Sequence, residues 1–171
     1  MLGPLLREAR QAAIAPEDYF AAAPAEESWS KPAGRMAFWA MLAGAVEVAL
    51  SFAAKQRSPG DFLVDLLTLA VFPLLTLALV FASTLFLHAV WRALGGKAPL
   101  KASWRAASGL AFTMPADILL GPFGLLALAP HFWRYALLAY AGQGVHGLKK
   151  KRAWGFAAAL AVAHVLALAL S

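Results

Sequence analysis

Residues 62–94, FLVDLLTLAVFPLLTLALVFASTLFLHAVWRAL, decide the fold class. Apolar side chains fall on every face of a helix drawn through this run, so no face is left for water, and Asp65 is its one acid. As a single helix it would measure about 50 Å against a hydrocarbon core of roughly 30 Å, so it must tilt, protrude or bend. Pro73 offers the bend. Splitting the run in two would leave a first piece of about eleven residues, too short to cross.

Four other stretches share this character: 36–54 with Glu47, 106–120 with Pro115 and Asp117, 125–140 with Pro130, His131 and Arg134, and 156–170. The expected architecture is therefore all-α, a polytopic transmembrane bundle of about five spans with a cytoplasmic N-terminus. A cytoplasmic or interfacial segment, 1–35, precedes the transmembrane domain, 36–171. Composition agrees: the 171 residues are 61% hydrophobic and 14% charged, with a mean hydropathy of +0.66. No period-two strand pattern and no fixed-spacing repeat is present. Residues 1–10 do not lead into a short apolar core and cleavage site, so insertion through the chain's own helices is expected.

Within the leader, Leu2, Leu5, Leu6, Ala9, Ala12 and Ile14 make one apolar helical face beside Arg7 and Arg10, suited to a membrane surface. Pro16, Glu17 and Asp18 are the chemistry of a second helix start, and Pro24, Ser30, Pro32 and Gly34 break the chain before the membrane. The polar stretch 55–61 turns the chain back, and 121–124 forms a very short turn.

Orientation follows from the loops. The basic residues Arg92, Lys97, Lys101, Arg105, Lys149, Lys150, Lys151 and Arg152 cluster around two loops that hold no acid, whereas the opposite loops hold only Lys55 and Arg57. The positive-inside rule places the basic loops in the cytoplasm. Trp39, Trp91, Trp104 and Trp154 then fall near the inner interface, where indole rings prefer to sit. The Lys149–Arg152 run serves either as a solvated anchor or as a site for anionic lipid headgroups or an acidic protein surface.

Ionisable groups inside a bilayer cost several kcal/mol unless paired or wet. Glu47, Asp65, Asp117, His131 and Arg134 form the candidate intramembrane cluster, with Arg134 expected to pair with Asp117 or Glu47 in the outer half of the bundle. It reads either as a polar binding site or as an ion pair that fixes helix register. The chain has no cysteine, which excludes disulfides and thiolate chemistry. His88, His131, His146 and His164 lie on separate segments without metal-ligand spacing, so no metal and no cofactor are expected. Protease, esterase and phosphate-loop signatures are missing, so no enzyme activity is expected, and the net charge of +6 reads as membrane-facing and not as nucleic-acid binding.

The stretches Leu87-His-Ala-Val-Trp-Arg-Ala-Leu-Gly-Gly-Lys97, Lys101-Ala-Ser-Trp-Arg105, Met114-Pro115, Gly121-Pro122 and Gly142-Gln-Gly-Val-His146-Gly-Leu, followed by Arg152-Ala153, resemble the bacterial branch of the Ypt-interacting protein (Yip) family. The resemblance covers roughly Pro16 to the end. It implies five transmembrane helices, a cytoplasmic N-terminus and no catalytic residues. Eukaryotic members bind small Rab GTPases through membranes of the secretory pathway, but their Asp-Leu-Tyr-Gly-Pro motif is missing here, so Rab binding is not carried over. The expected role is a membrane-organising or trafficking-type scaffold in a bacterial inner membrane, working with the lipid bilayer, other membrane proteins or further copies of itself. The alternative is a small transporter, channel subunit or lipid-binding protein built around the polar cluster.

Overall fold

The computed structural model describes residues 2–22, 27–54 and 59–170, and among these residues all regular structure is helical. The elements are α1 Leu2–Ile14, α2 Pro16–Ala21, α3 Ser30–Ala54, α4 Pro59–Ala93, α5 Leu100–Leu110, α6 Met114–Leu120, α7 Leu128–Gly144 and α8 Lys150–Ala169. Short 3-10 turns, Ala111–Thr113 and Gly121–Ala127, join α5 to α6 and α6 to α7. Four stretches are long and apolar enough to cross a membrane: Ser30–Ala53, Gly60–Ala93, Leu100–Gly144 and Lys150–Ala169. On that ground the chain reads as a membrane protein.

The third of these stretches doubles back on itself. Its backbone leaves helical geometry at Phe123 and at Gly124, where φ is 58° and ψ is −120°. Only glycine takes up that conformation without strain. Beyond it, Arg134 Nε donates to Thr113 Oγ1 at 2.9 Å although the two residues are 21 apart in sequence. A straight helix would hold them about 30 Å apart. The continuous α5–α6 leg and α7 therefore lie side by side as a helical hairpin.

Several expected boundaries move. The loop read over 95–105 is shorter, because α5 starts at Leu100 and takes Lys101 and Arg105 into a helix after Pro99, whose extended backbone opens it. The loop read over 142–155 likewise shrinks, since α7 runs to Gly144 and α8 begins at Lys150. Helix α4 continues through Pro73 without interruption. Lys55, Arg57 and Ser58 of the expected turn, and Pro24, lie outside the described residues.

Packing is concentrated at one end of the bundle. Phe20, Trp91, Ala106, Leu110, Leu137, Leu138, Ala139 and Ala141 form one buried cluster, and Met36, Trp39, Trp104 and Ala111 form a second beside it. Trp39, Trp91 and Trp104 are buried in the core, filling gaps between helix ends that small residues leave open. At the opposite end the apolar side chains point outward. Phe62, Leu63, Val64, Leu66 and Leu67 on α4, and Val162, Val165 and Leu166 on α8, are exposed. In water this would be a severe liability; hydrocarbon is the solvent that suits it.

The leader is docked on this packed end. In α1, Glu8 and Ala9 are half-buried and Ala12 is buried, while Leu2, Leu6 and Ile14 remain exposed beside Arg7 and Arg10. Helix α2 lies across the end of α7. A Cβ at Gly144 would come within 2.8 Å of both Phe20 C and Ala21 N, so only glycine lets these backbones meet. Gly144→Ala is expected to destabilise the protein by about 1–3 kcal/mol, as forced overpacking does, and to speed limited proteolysis of the leader. Gly155→Ala, where an added Cβ meets nothing within 4 Å, is the matched control and should be neutral or slightly stabilising in detergent melts.

Candidate functional site

Three polar constellations sit within this apolar bundle. The first joins the hairpin. Arg134 pairs with Asp117, and its Nε and Nη2 donate to Thr113 Oγ1 at 2.9 and 2.7 Å, while Thr113 in turn donates to Leu110 O at 2.9 Å. His131 Nδ1 stands 3.5 Å from the other Asp117 oxygen. Beyond it, the His131 and His164 rings are 4.9 Å apart, and Tyr135 Oη is 2.5 Å from His164 Nδ1. The helix spacing explains this: His131, Arg134 and Tyr135 fall on one face of α7 at i, i+3 and i+4. Thr113 and Tyr135 are polar but not acidic or basic, so a search for intramembrane charges passes over them, and His164 lies on a different helix from its partners.

The expected five-residue cluster is divided in the structure. Asp117, His131 and Arg134 come together, whereas Glu47 and Asp65 line a separate cavity between α3 and α4 with Ser51, Asp61 and Thr68. Its volume is about 210 Å³. Arg134 lines another of about 210 Å³, whose wall is mainly apolar, with Val80, Leu87, Leu110 and Leu138.

The second constellation is the crossing of two helix ends. Helices α4 and α7 each close on a left-handed glycine, Gly95 at φ 100° and Gly147 at φ 66°. Gly96 N donates to Trp91 O at 2.7 Å and Leu148 N to Gly142 O at 3.0 Å, so each cap satisfies carbonyls the helix leaves open. Lys97 N donates to His146 O at 3.3 Å and joins the two caps. Between them, fully buried Ser103 on α5 lies 2.8 Å from His88 Nδ1 and 2.9 Å from His146 Nε2. The Trp91 ring packs 4.6 Å from His146, and a Cβ at Gly142 would be 3.1 Å from Trp91 Nε1. Burial, then His88 and Arg92, hold the His146 imidazole down to about 4. It stays neutral, because a second proton would leave a buried cation whose Nδ1 has no partner among the described residues.

The basic residues do not act as one group. Arg152 Nη1 donates to Leu94 O at 2.7 Å at the end of α4, and Arg92, in the last turn of α4, donates through Nη1 to Lys97 O at 3.3 Å in the chain beyond it. Arg105 is a correction to the loop reading: it is only 8% exposed, inside α5. Lys97, Lys149, Lys150 and Lys151 are exposed, and Lys101 is half-exposed.

The third constellation, centred on Arg35, escaped the sequence reading because it joins α1, the start of α3 with the chain before it, and α5. Arg35 Nε is 2.8 Å from Glu8 Oε2, Nη2 is 3.0 Å from Glu27 Oε1, and Nη1 donates to Ser108 Oγ at 2.8 Å. Trp104 Nε1 donates to Trp29 O at 3.1 Å, which ties the chain before α3 to α5. No group of three or more His, Cys, Asp or Glu residues among those described is arranged to hold a metal.

Comparison with protein-family models, curated proteins and solved structures finds no match to the chain.

Two measurements probe these sites. Asp117→Ala leaves Arg134 without its carboxylate and should cost about 2–3 kcal/mol, while Asp117→Ala with Arg134→Met should cost less than the sum of the singles by about 0.5–3 kcal/mol, read from detergent melts. For His146, the unfolded chain binds a proton between pH 6.5 and about 4 that the folded chain does not. Its contribution is therefore complete above pH 6.5 and falls on acidification, by up to about 1.4 kcal/mol per pH unit. His146→Gln should flatten that part of the stability profile.

Proposed function

We propose that the chain is a non-enzymatic, five-span protein of the bacterial cytoplasmic membrane that works as a membrane-organising scaffold, with its N-terminus and basic loops in the cytoplasm. The observation that carries this reading is the interlocked end of the bundle. Two helix caps joined by Lys97 N and His146 O form a rigid platform from which Lys97, Lys149, Lys150 and Lys151 project, beneath which the helices turn apolar faces outward. Such a surface suits anionic headgroups or an acidic protein partner. The hairpin at Gly124 supports counting Leu100–Gly144 as two crossings, since each leg alone is about 25–30 Å long. The stretches that carry the Yip resemblance, Leu87–Lys97, Lys101–Arg105 and Gly142–Leu148, meet at this same platform, which is consistent with a shared structural role.

The transporter or channel alternative needs a connected polar route. The Glu47–Asp65 cavity is not lined by Asp117 or Arg134, and Arg134 is occupied by Asp117 and Thr113. Both observations favour a register-fixing role for that pair.

The cysteine-free sequence makes the topology directly testable. Single cysteines at Arg10, Lys97 and Lys149 should react with an impermeant maleimide only from the cytoplasmic side, and a cysteine at Phe123 only from the other. Labelling of Phe123→Cys from the cytoplasmic side would reject five crossings. For the scaffold role, changing Lys149, Lys150 and Lys151 together to Gln should abolish recovery of in-cell crosslinked membrane partners without changing insertion. Equal recovery from the wild type and the triple variant would reject the platform as the contact surface.

A further inference from the structure

Arg105 poses a problem that the scaffold reading does not solve. It is a cation, 8% exposed, at the wall of a cavity of about 210 Å³ enclosed by α1, α2, α3 and α5. Among the described residues no hydrogen bond or ion pair reaches its guanidinium, whereas the neighbouring Arg35 holds Glu8, Glu27 and Ser108. A buried cation without an acceptor is costly. The same cavity holds a second unused donor, the hydroxyl of Tyr19, which burial keeps protonated by pushing the phenol up. It also holds an unused acceptor: Glu27 Oε2 is buried and receives no hydrogen bond from the described residues.

Among the described residues, the donors Arg105 and Tyr19 and the acceptor Glu27 Oε2 are thus all left without a hydrogen-bond partner. The charges of the cavity, Arg35 and Arg105 against Glu8 and Glu27, already balance, so a lone anion would be repelled by the carboxylates as it approached the guanidinium. A ligand carrying both signs supplies what Arg105, Tyr19 and Glu27 Oε2 leave unmet. Glu8, Glu27 and Arg35 also border a second, larger space of about 660 Å³ between α1 and α3, whose apolar wall is Leu2, Pro4, Leu5 and Phe38. This groove begins where the chain passes from the polar leader into the apolar run of α3, the level of headgroup and glycerol in a bilayer.

We propose that the crevice binds one zwitterionic phospholipid of the phosphoethanolamine class, with its phosphate on Arg105 and Tyr19, its ammonium on Glu27 Oε2, and its glycerol and upper acyl chain in the groove between α1 and α3. The proposal rests on the chain lying in a bilayer, which the cysteine experiment tests separately. A choline headgroup fits poorly because its quaternary nitrogen has no N–H for Glu27, and a glycerol headgroup brings no positive charge.

The test is native mass spectrometry of the full chain extracted from vesicles of equal phosphatidylethanolamine, phosphatidylglycerol and phosphatidylcholine. One phosphatidylethanolamine should be retained in preference to the others, and Arg105→Met or Glu27→Gln should each lower its retention about tenfold, the loss of one charge-assisted hydrogen bond. Because the Arg105 variant is a core change, Gly34→Leu is the decisive partner. Gly34 lines the groove and a Cβ there meets nothing within 4 Å, so the leucine should block the acyl chain with no loss of melting temperature. Soluble glycerophosphoethanolamine, lacking the chain, should fail to displace the lipid. Equal retention of all three headgroups, preference for phosphatidylglycerol, unchanged retention in Gly34→Leu at native melting temperature, or full displacement by the soluble headgroup would each overturn the proposal.

Discussion

The contact between Trp91 and the His146 turn is the constraint from which the rest of the bundle takes its arrangement. Trp91 occupies the last turn of α4, and its indole needs space that only Gly142 on α7 provides. Once it is seated, the caps of α4 and α7 must lie together, and the Lys97–His146 backbone bond follows. Ser103 then closes the angle between them from α5, with one hydroxyl between two imidazoles. A serine hydroxyl has one proton to give and lone pairs to receive, so it can serve both rings at once. Helices that share no backbone hydrogen bonds along their lengths are held in register at one end by this small polar node.

That node also accounts for the unequal packing. Close approach of helix ends is bought with small residues: Gly96, Ala106, Ala107, Gly109, Ala139, Ala141, Gly142 and Ala153 all lie there and are buried. In lipid, apolar burial gives little driving force between helices, so close van der Waals contact and interhelical hydrogen bonds must supply it, and both need small side chains. Small residues such as Ala45, Ala49 and Ala163 occur toward the opposite end too, but there α4 and α8 also present large apolar side chains outward, a surface that suits hydrocarbon.

The sequence disclosed the parts of this structure that depend on local pattern. The all-round apolarity of 62–94, the breaks at Gly95 and Gly121–Gly124, and the helical spacing of His131 and Arg134 can be read without coordinates. What it concealed are relations between distant segments. Arg105 looked like a loop residue because it follows Lys97 and Lys101, yet Pro99 starts α5 early enough to turn it inward. The tryptophans could be assigned a depth, but the small residues that seat them, such as Gly142 beside Trp91, could not be matched to them. Glu47, Asp65 and Asp117 share an expected depth, but depth does not specify which pair of helices a side chain lies between.

The basic residues show the same limit and point to what resolves it. The positive-inside rule counts charge near the membrane and is indifferent to what each charge does. Here three functions divide it. Arg92 and Arg152 neutralise the carbonyl end of α4, a position where a cation stabilises a helix wherever the protein resides. Lys97 and Lys149–Lys151 stay in solvent, and Arg105 is withdrawn into the core. The division follows side-chain chemistry, since the arginines that bridge carbonyls use planar, multiply donating guanidinium groups, whereas the lysines left outside are compact, strongly hydrated charges. Residues that look alike as a topology signal thus divide into helix-end arginines, solvent-exposed lysines and one buried arginine at the wall of a cavity.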